Sequence, residues 1–129
     1  MLIEDYFQQI RQTIDGCHAV QSSAVTYDKR GTHEGYIRGE LHFEDGSILH
    51  LREFVDVETL VERLTYVYQY MDAVERLVFR YDNTGHRKRL GLPTYPHHKH
   101  EGQDDNVVAS PAPDLRAVLN EIEGLVHLP

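Results

Sequence analysis

Apolar and polar residues alternate along the chain with two different periods, and each change of period marks a new element. From Leu2 to Ile14, Leu2, Tyr6, Ile10 and Ile14 recur every fourth residue, with Ile3 and Phe7 on the adjoining flank. That spacing predicts an amphipathic helix, with Gly16 as its stop. Between His18 and Lys29 the period falls to two: Val25 and Tyr27 alternate with Thr26 and Asp28, predicting a strand, and Arg30-Gly31-Thr32 makes a turn. Tyr36–Glu44 and Ser47–Val55 read as a hairpin about Asp45-Gly46, a dipeptide suited to a two-residue type I′ turn. Such a turn puts Ile37, Leu41 and Phe43 on one face with Ile48, His50, Arg52 and Phe54, and sets Arg38 opposite Glu53 as an ion pair; a one-residue bulge would swap these assignments.

A further strand is expected from Val61 to Met71, with Leu64, Tyr66, Tyr68 and Tyr70 on one side; tyrosines at period two favour a strand over a helix. Asp72–Glu75 turns this strand into another, from Arg76 to Asp82, and Val107-Val108-Ala109 is expected to pair briefly with a sheet edge. Ser110 as N-cap and Pro111 in the first turn open a last helix, whose stripe is Leu115, Val118, Leu119, Ile122 and Leu125, with Gly124 near its end. The order predicts an α+β fold. An antiparallel sheet of about five strands, in consecutive hairpins, carries an N-terminal and a C-terminal helix packed on it.

Composition adds limits. A chain of 129 residues with 40% hydrophobic positions suits one domain spanning residues 1–129. No apolar run approaches the roughly 20 residues needed to cross a bilayer, and no apolar segment follows a basic N-terminus, so the expected location is cytoplasmic with no membrane partner. The single Cys17 excludes an internal disulfide and fits a reducing compartment. No motif ties a base to it, so it reads as a small apolar residue at a helix end.

Charge is unevenly spread. From Arg76 to His100 there are six Lys or Arg against one acid, Asp82, giving +5, while the whole chain is −8 and the remainder therefore −13. This predicts a basic patch in an acidic body, able to engage a few phosphates but unsuited to coating nucleic acid broadly. The same stretch holds four of the nine histidines, His86, His97, His98 and His100, the side chain best able to give and take protons near neutral pH. Histidines beside Arg and Lys point to a site for an anion.

The segments FRYDN and YPHHKH, together with GYIRGELHFEDGS, LREFVD and YVYQYMD, resemble the TumE family of toxins from bacterial and archaeal toxin–antitoxin pairs. The resemblance runs from about Tyr36 to the last helix, and the joint occurrence of RYDN and PHHKH carries it. Two positions depart from the family pattern: Gly85 stands before His86 where the family has proline, and Arg87-Lys88-Arg89 is more basic. The resemblance implies a toxin of a type II pair, a cognate antitoxin (a small DNA-binding protein) contacting the acidic remainder, and RNA as substrate. A homodimer is an open alternative.

For a metal-independent endoribonuclease, His86 and one of His98 or His100 would share acid and base duties, with Asp82 orienting a histidine. Arg80 and Lys99 would hold the phosphate, while Tyr81 and Tyr95 would stack on unpaired bases beside Asn83. No cofactor is needed on this reading. The alternative is a non-enzymatic regulatory module in which His98 and His100, two apart on an extended segment, bind a divalent metal such as zinc or a partner's carboxylates. His86 or Asp82 would complete its metal site. The plainest reading makes Asp82-Asn83 a turn whose side chains cap backbone N–H groups.

Overall fold

The computed structural model describes residues 1–83, 96–103, 107–110 and 112–126. The first helix, α1, spans Ile3–Asp15 and buries Ile3, Tyr6, Phe7, Ile10 and Ile14, while Leu2 stays exposed at the extended N-cap position. Seven strands follow among the described residues: β1 (Val20–Lys29), β2 (Glu34–Phe43), β3 (Ile48–Asp56), β4 (Glu62–Met71), β5 (Leu77–Asp82), β6 (His98–Glu101) and β7 (Val107–Ala109), then helix α2 (Leu115–Glu123). Each strand pairs antiparallel with the next, so sheet order is chain order. The expected α+β architecture holds, and the strand count is corrected from about five to seven. The additional strands are β7, where the expected edge pairing forms, and β6, whose alternation is written in buried histidines instead of apolar residues.

Both helices lie on one face of the sheet. Their stripes meet Ile37, Leu41, Leu49, Leu51, Tyr68, Tyr70 and Phe79 in a single core. Gly35 permits the close approach of α1, since a Cβ there would lie 2.5 Å from the Phe7 ring and 2.7 Å from Ile3. Among the described residues no helix is long and apolar enough to cross a membrane. Cys17 is buried and its thiol is pushed up to about 11, first by burial, which leaves little thiolate for nucleophilic work.

The central hairpin differs by one residue from the two-residue turn expected at Asp45-Gly46. Leu41 faces Leu49, His42 faces Ile48, and the Phe43 N–H donates to the Ser47 carbonyl at 3.0 Å, so Glu44-Asp45-Gly46 is a three-residue loop. Gly46 takes φ +86°, the left-handed position that three-residue hairpins place last. A slip of one residue exchanges the faces of a strand. Ile37, Leu41 and Phe43 therefore share the core face with Leu49, Leu51, Glu53 and Val55, and Arg38 faces Arg52, not Glu53.

Glu53 is consequently carried into the core, where it is 1% exposed. The Tyr68 hydroxyl donates to its Oε2 at 2.6 Å, and the Tyr6 hydroxyl of α1 donates to Oε1. Arg63 donates to the Tyr68 hydroxyl at 3.0 Å and to the carbonyls of Pro113 and Ala112, the residues leading into α2. One carboxylate thus ties β3, β4, α1 and the approach to α2. The cap of α2 is Asp114, which accepts from the Ala117 N–H at 2.9 Å. This corrects the expected cap at Ser110, which is buried upstream of the helix; Pro111 lies outside the described residues.

Removing a partner from such a network strands the others. Glu53→Ala should lower stability by about 3 kcal/mol, read from urea denaturation; a loss below about 1 kcal/mol would show that the network does not hold the layers. Burial raises the Glu53 carboxyl above its ordinary value, against the lowering effect of the two tyrosine hydroxyls and Arg63. From about pH 4.3, the free-glutamate value, up to the raised folded value, the native protein binds more protons than the unfolded chain, so this group's contribution to stability declines as pH rises. Glu53→Gln should flatten that decline in urea midpoints measured across pH. At the β4–β5 turn, Glu75 sits at φ 64°, where a side chain costs about 1 kcal/mol. Glu75→Gly should raise the melting temperature, and a fall would contradict this account of the turn.

Candidate functional site

Strands β5 and β6 build the site by their register. Arg80 pairs with His100 and Asp82 with His98, and side chains two apart on a strand share a face. Arg80, Asp82, His98 and His100 therefore gather on the face opposite the helices. Asp82 is 0% exposed, His98 2% and His100 1%. Asp82 Oδ1 lies 2.8 Å from His98 Nε2, and its Oδ2 lies 3.0 Å from Arg80 Nε and 3.4 Å from His100 Nε2. The two imidazoles meet edge to face at 4.9 Å. One buried carboxylate is the common partner of three nitrogen-bearing side chains.

The second nitrogen of His98 fixes its tautomer. Nδ1 lies 2.9 Å from the Pro96 carbonyl oxygen, which can only accept, so Nδ1 carries a proton. Nε2 faces Asp82 Oδ1 at 2.8 Å, a contact that needs a proton, on the ring or on the carboxyl, or a cation held between the two. Both nitrogens are engaged in this geometry, which suits an orienting role better than direct proton transfer to substrate. One donor atom each from Asp82, His98 and His100 also lie within 4.8 Å of one another, a spacing that a small shift of the rings would turn into three metal ligands. The Arg80 guanidinium beside the same carboxylate opposes a dication there.

The sheet separates the other expected residues from this cluster. Tyr81 pairs with Lys99, and both face α2: the Tyr81 hydroxyl donates to Glu121 at 2.6 Å, and Lys99 Nζ lies 3.1 Å from the same carboxylate and 4.8 Å from the centre of the Tyr81 ring. Burial draws the Lys99 ammonium down, but the bonds to Tyr81 and Glu121 outweigh it and hold the pKa above its ordinary value. Lys99, expected as a phosphate ligand, lies on the helix side of the sheet and tethers α2 there. Asn83 accepts from the Tyr66 N–H at 2.9 Å and donates to the Leu64 carbonyl at 3.1 Å, extending the β4–β5 ladder with its side chain. His97 stacks on Tyr66, with Nδ1 2.9 Å from that hydroxyl. His86, Tyr95 and Arg87-Lys88-Arg89 lie outside the described residues.

Two features escaped the sequence reading. The Glu53 network was hidden by the hairpin register. So was the pairing of Arg38 with Arg52, which puts two cations side by side on the same open face as Arg80. The second could have been found by testing the three-residue alternative for the Asp-Gly turn.

No curated protein and no solved structure is similar enough to the chain to be matched. A family model described as toxin TumE matches residues 7–126, which takes in both helices and all seven strands except the first residues of α1. The segments RYDN and PHHKH, on which the resemblance turned, are β5 and β6 with their flanks, the two strands that assemble the cluster. The chain belongs to the TumE toxin family.

Proposed function

We propose that the chain is the toxin of a type II toxin–antitoxin pair that acts in the cytoplasm on RNA, as a small endoribonuclease centred on Asp82, His98, His100 and Arg80. Family membership supports the toxin and an antitoxin partner; the antitoxin is a small DNA-binding protein held by the acidic remainder of the surface. The observation that carries the site is the convergence of His98, His100 and Arg80 on the fully buried Asp82. Apolar residues of similar size would stabilise this part of the sheet at least as well as buried ions, so the ionisable set is better explained by chemistry than by folding.

In this reading Asp82 orients both imidazoles and fixes Arg80, whose guanidinium stabilises the charge that builds on the phosphorane oxygens. His86 and His100 exchange the protons with the 2′-hydroxyl and the leaving oxygen, and His98 positions the cluster. His86 belongs to the segment joining β5 to β6, whose described neighbours, Asn83 and Pro96, flank the cluster. Tyr95 remains a proposed stacking residue in the same segment.

The second reading is a metal- or partner-binding regulatory module. It is favoured by the three donor atoms within 4.8 Å and by the His98 Nδ1 bond to a carbonyl, the kind of outer contact that orients a ligating imidazole. Asp82, His98 and His100 would hold the divalent metal, zinc by the chemistry of the donor set.

Incubating purified, untagged protein with single-stranded RNA, with and without EDTA, separates the readings. Cleavage should survive EDTA, show a bell-shaped pH dependence, and fall about 10²-fold in His86→Ala and His100→Gln. No cleavage, with stoichiometric zinc in the protein and a fall in thermal stability on chelation, would favour the regulatory module; cleavage lost in EDTA would make the protein a metal-assisted nuclease. Cleavage that persists when His86, His98 and His100 are all replaced would place the site elsewhere. Lys99→Met and Tyr81→Phe should lower thermal stability through the lost Glu121 contacts while leaving the bell-shaped profile in place, since both lie across the sheet.

A further inference from the structure

The open face of the sheet carries a pattern that neither the core nor the cluster explains. Its registers align three successive cross-strand pairs on β2 and β3: Tyr36 with Phe54, Arg38 with Arg52, and Glu40 with His50. Arg38 and Arg52 are exposed, and among the described residues neither meets a carboxylate. Like charges directly opposite on neighbouring strands destabilise a sheet. Glu40, an acid that lines the same trough, is held instead by His42 at 3.1 Å and His50 at 3.5 Å. Arg38, Arg52 and Arg80 line one trough of about 540 Å³, whose floor is kept low by small side chains at Ala24, Thr26 and Val67. The row of Arg38 and Arg52 continues through Val67 to Asp82, and Arg80 stands one side-chain row along, beside Gln69, about 12 Å from Arg52 at ordinary strand spacing and rise. Two paired cations on β2 and β3 thus share the trough with a third on β5, the arginine bound to Asp82.

We infer that this face is a track for single-stranded RNA, in which Arg38 and Arg52 hold backbone phosphates and the half-buried rings of Tyr36 and Phe54 stack on unpaired bases. The inference rests on the proposed action on RNA and supplies its binding surface. An anion between Arg38 and Arg52 removes the repulsion that the free sheet bears, so the free energy of binding includes relief of that pair. Aromatic rings next to arginines on a sheet face favour an unpaired strand over a duplex, because only unpaired bases offer their faces for stacking. A strand lying across the trough passes its phosphates towards Arg80, where the proposed chemistry begins. Contacts to backbone and ring faces read no bases, so binding is tolerant of sequence.

The test is fluorescence anisotropy of a labelled, unstructured 2′-O-methyl RNA, which cannot be cleaved through its 2′ oxygen, titrated with the full chain at several salt concentrations. For wild type, affinity should fall steeply with salt. In Arg38→Ala/Arg52→Ala the slope of log affinity against log salt should shrink by about 0.7 for each arginine removed, with affinity about tenfold weaker near 0.1 M salt. Tyr36→Leu/Phe54→Leu should weaken binding with the salt slope unchanged. The arginine variant should melt at or slightly above the wild-type temperature, which excludes misfolding as the cause. Equal affinity and slope for wild type and the arginine variant would overturn the inference. So would tighter, arginine-dependent binding of poly-glutamate than of RNA, which would make this an acidic-protein surface. Arginine-dependent RNA binding without cleavage of ordinary RNA would leave the inference standing and overturn the proposed nuclease. Cleavage together with arginine-independent binding would do the reverse.

Discussion

The buried carboxylate of Glu53 is the contact on which the layers of this protein depend. It receives hydroxyls from Tyr6 on α1 and Tyr68 on β4, and Arg63 carries the network on to the carbonyls that precede α2. Apolar stripes alone would press two helices onto a sheet with little preference for their exact seats, since hydrophobic burial is non-directional. Directional bonds to one carboxylate fix the seats. They also fix which face the helices cover, and so which face stays open. The partition of chemistry follows: Glu53, Tyr68, Tyr81 and Lys99 are committed to the helix side, while Arg38, Arg52, Arg80, Asp82, His98 and His100 share the other.

The open face is organised at two levels of burial. At one end, Asp82 gathers two histidines and an arginine out of water, where electrostatic interactions are strong and geometry is held tightly. Across the middle, Arg38 and Arg52 stand in solvent, where charge attracts a polyanion but is screened by salt. Arg80 joins the two, being 24% exposed in its side chain, bound to Asp82 and lining the trough. A preorganised centre reached by a looser, cationic surface is the arrangement expected of an enzyme that processes a flexible phosphate polymer. The chain as a whole is net −8, so that attraction belongs to this face and not to the surface at large.

Much of the architecture was legible in the sequence. Apolar stripes of helical period located both helices, and Tyr66, Tyr68 and Tyr70 at period two located β4, because these patterns are set by burial on one side of an element. The hairpin register was not, since Asp-Gly serves both a two-residue turn and a three-residue loop with glycine in the left-handed position. That single residue decided whether Glu53 faced solvent or core. The cluster was partly legible: His98 and His100 share a face by strand periodicity. The same periodicity excludes Lys99 from their company and Tyr81 from that of Arg80 and Asp82, which the charge count alone obscured. The strand character of β6 was hidden because its inward positions are histidines, acceptable inside only with Asp82 opposite, a pairing that appears once the sheet is assembled.

The central claim is that Asp82 and the side chains gathered on it serve attack on RNA and not merely the folding of the sheet. It is tested most directly by inducing the wild-type chain and Asp82→Asn without an antitoxin, at matched soluble and folded levels, while following growth and the integrity of cellular transcripts. The account predicts arrested growth and fragmented transcripts for wild type, and normal growth with intact transcripts for Asp82→Asn. Arrest of equal strength by both proteins, or arrest by wild type with transcripts intact, would contradict it.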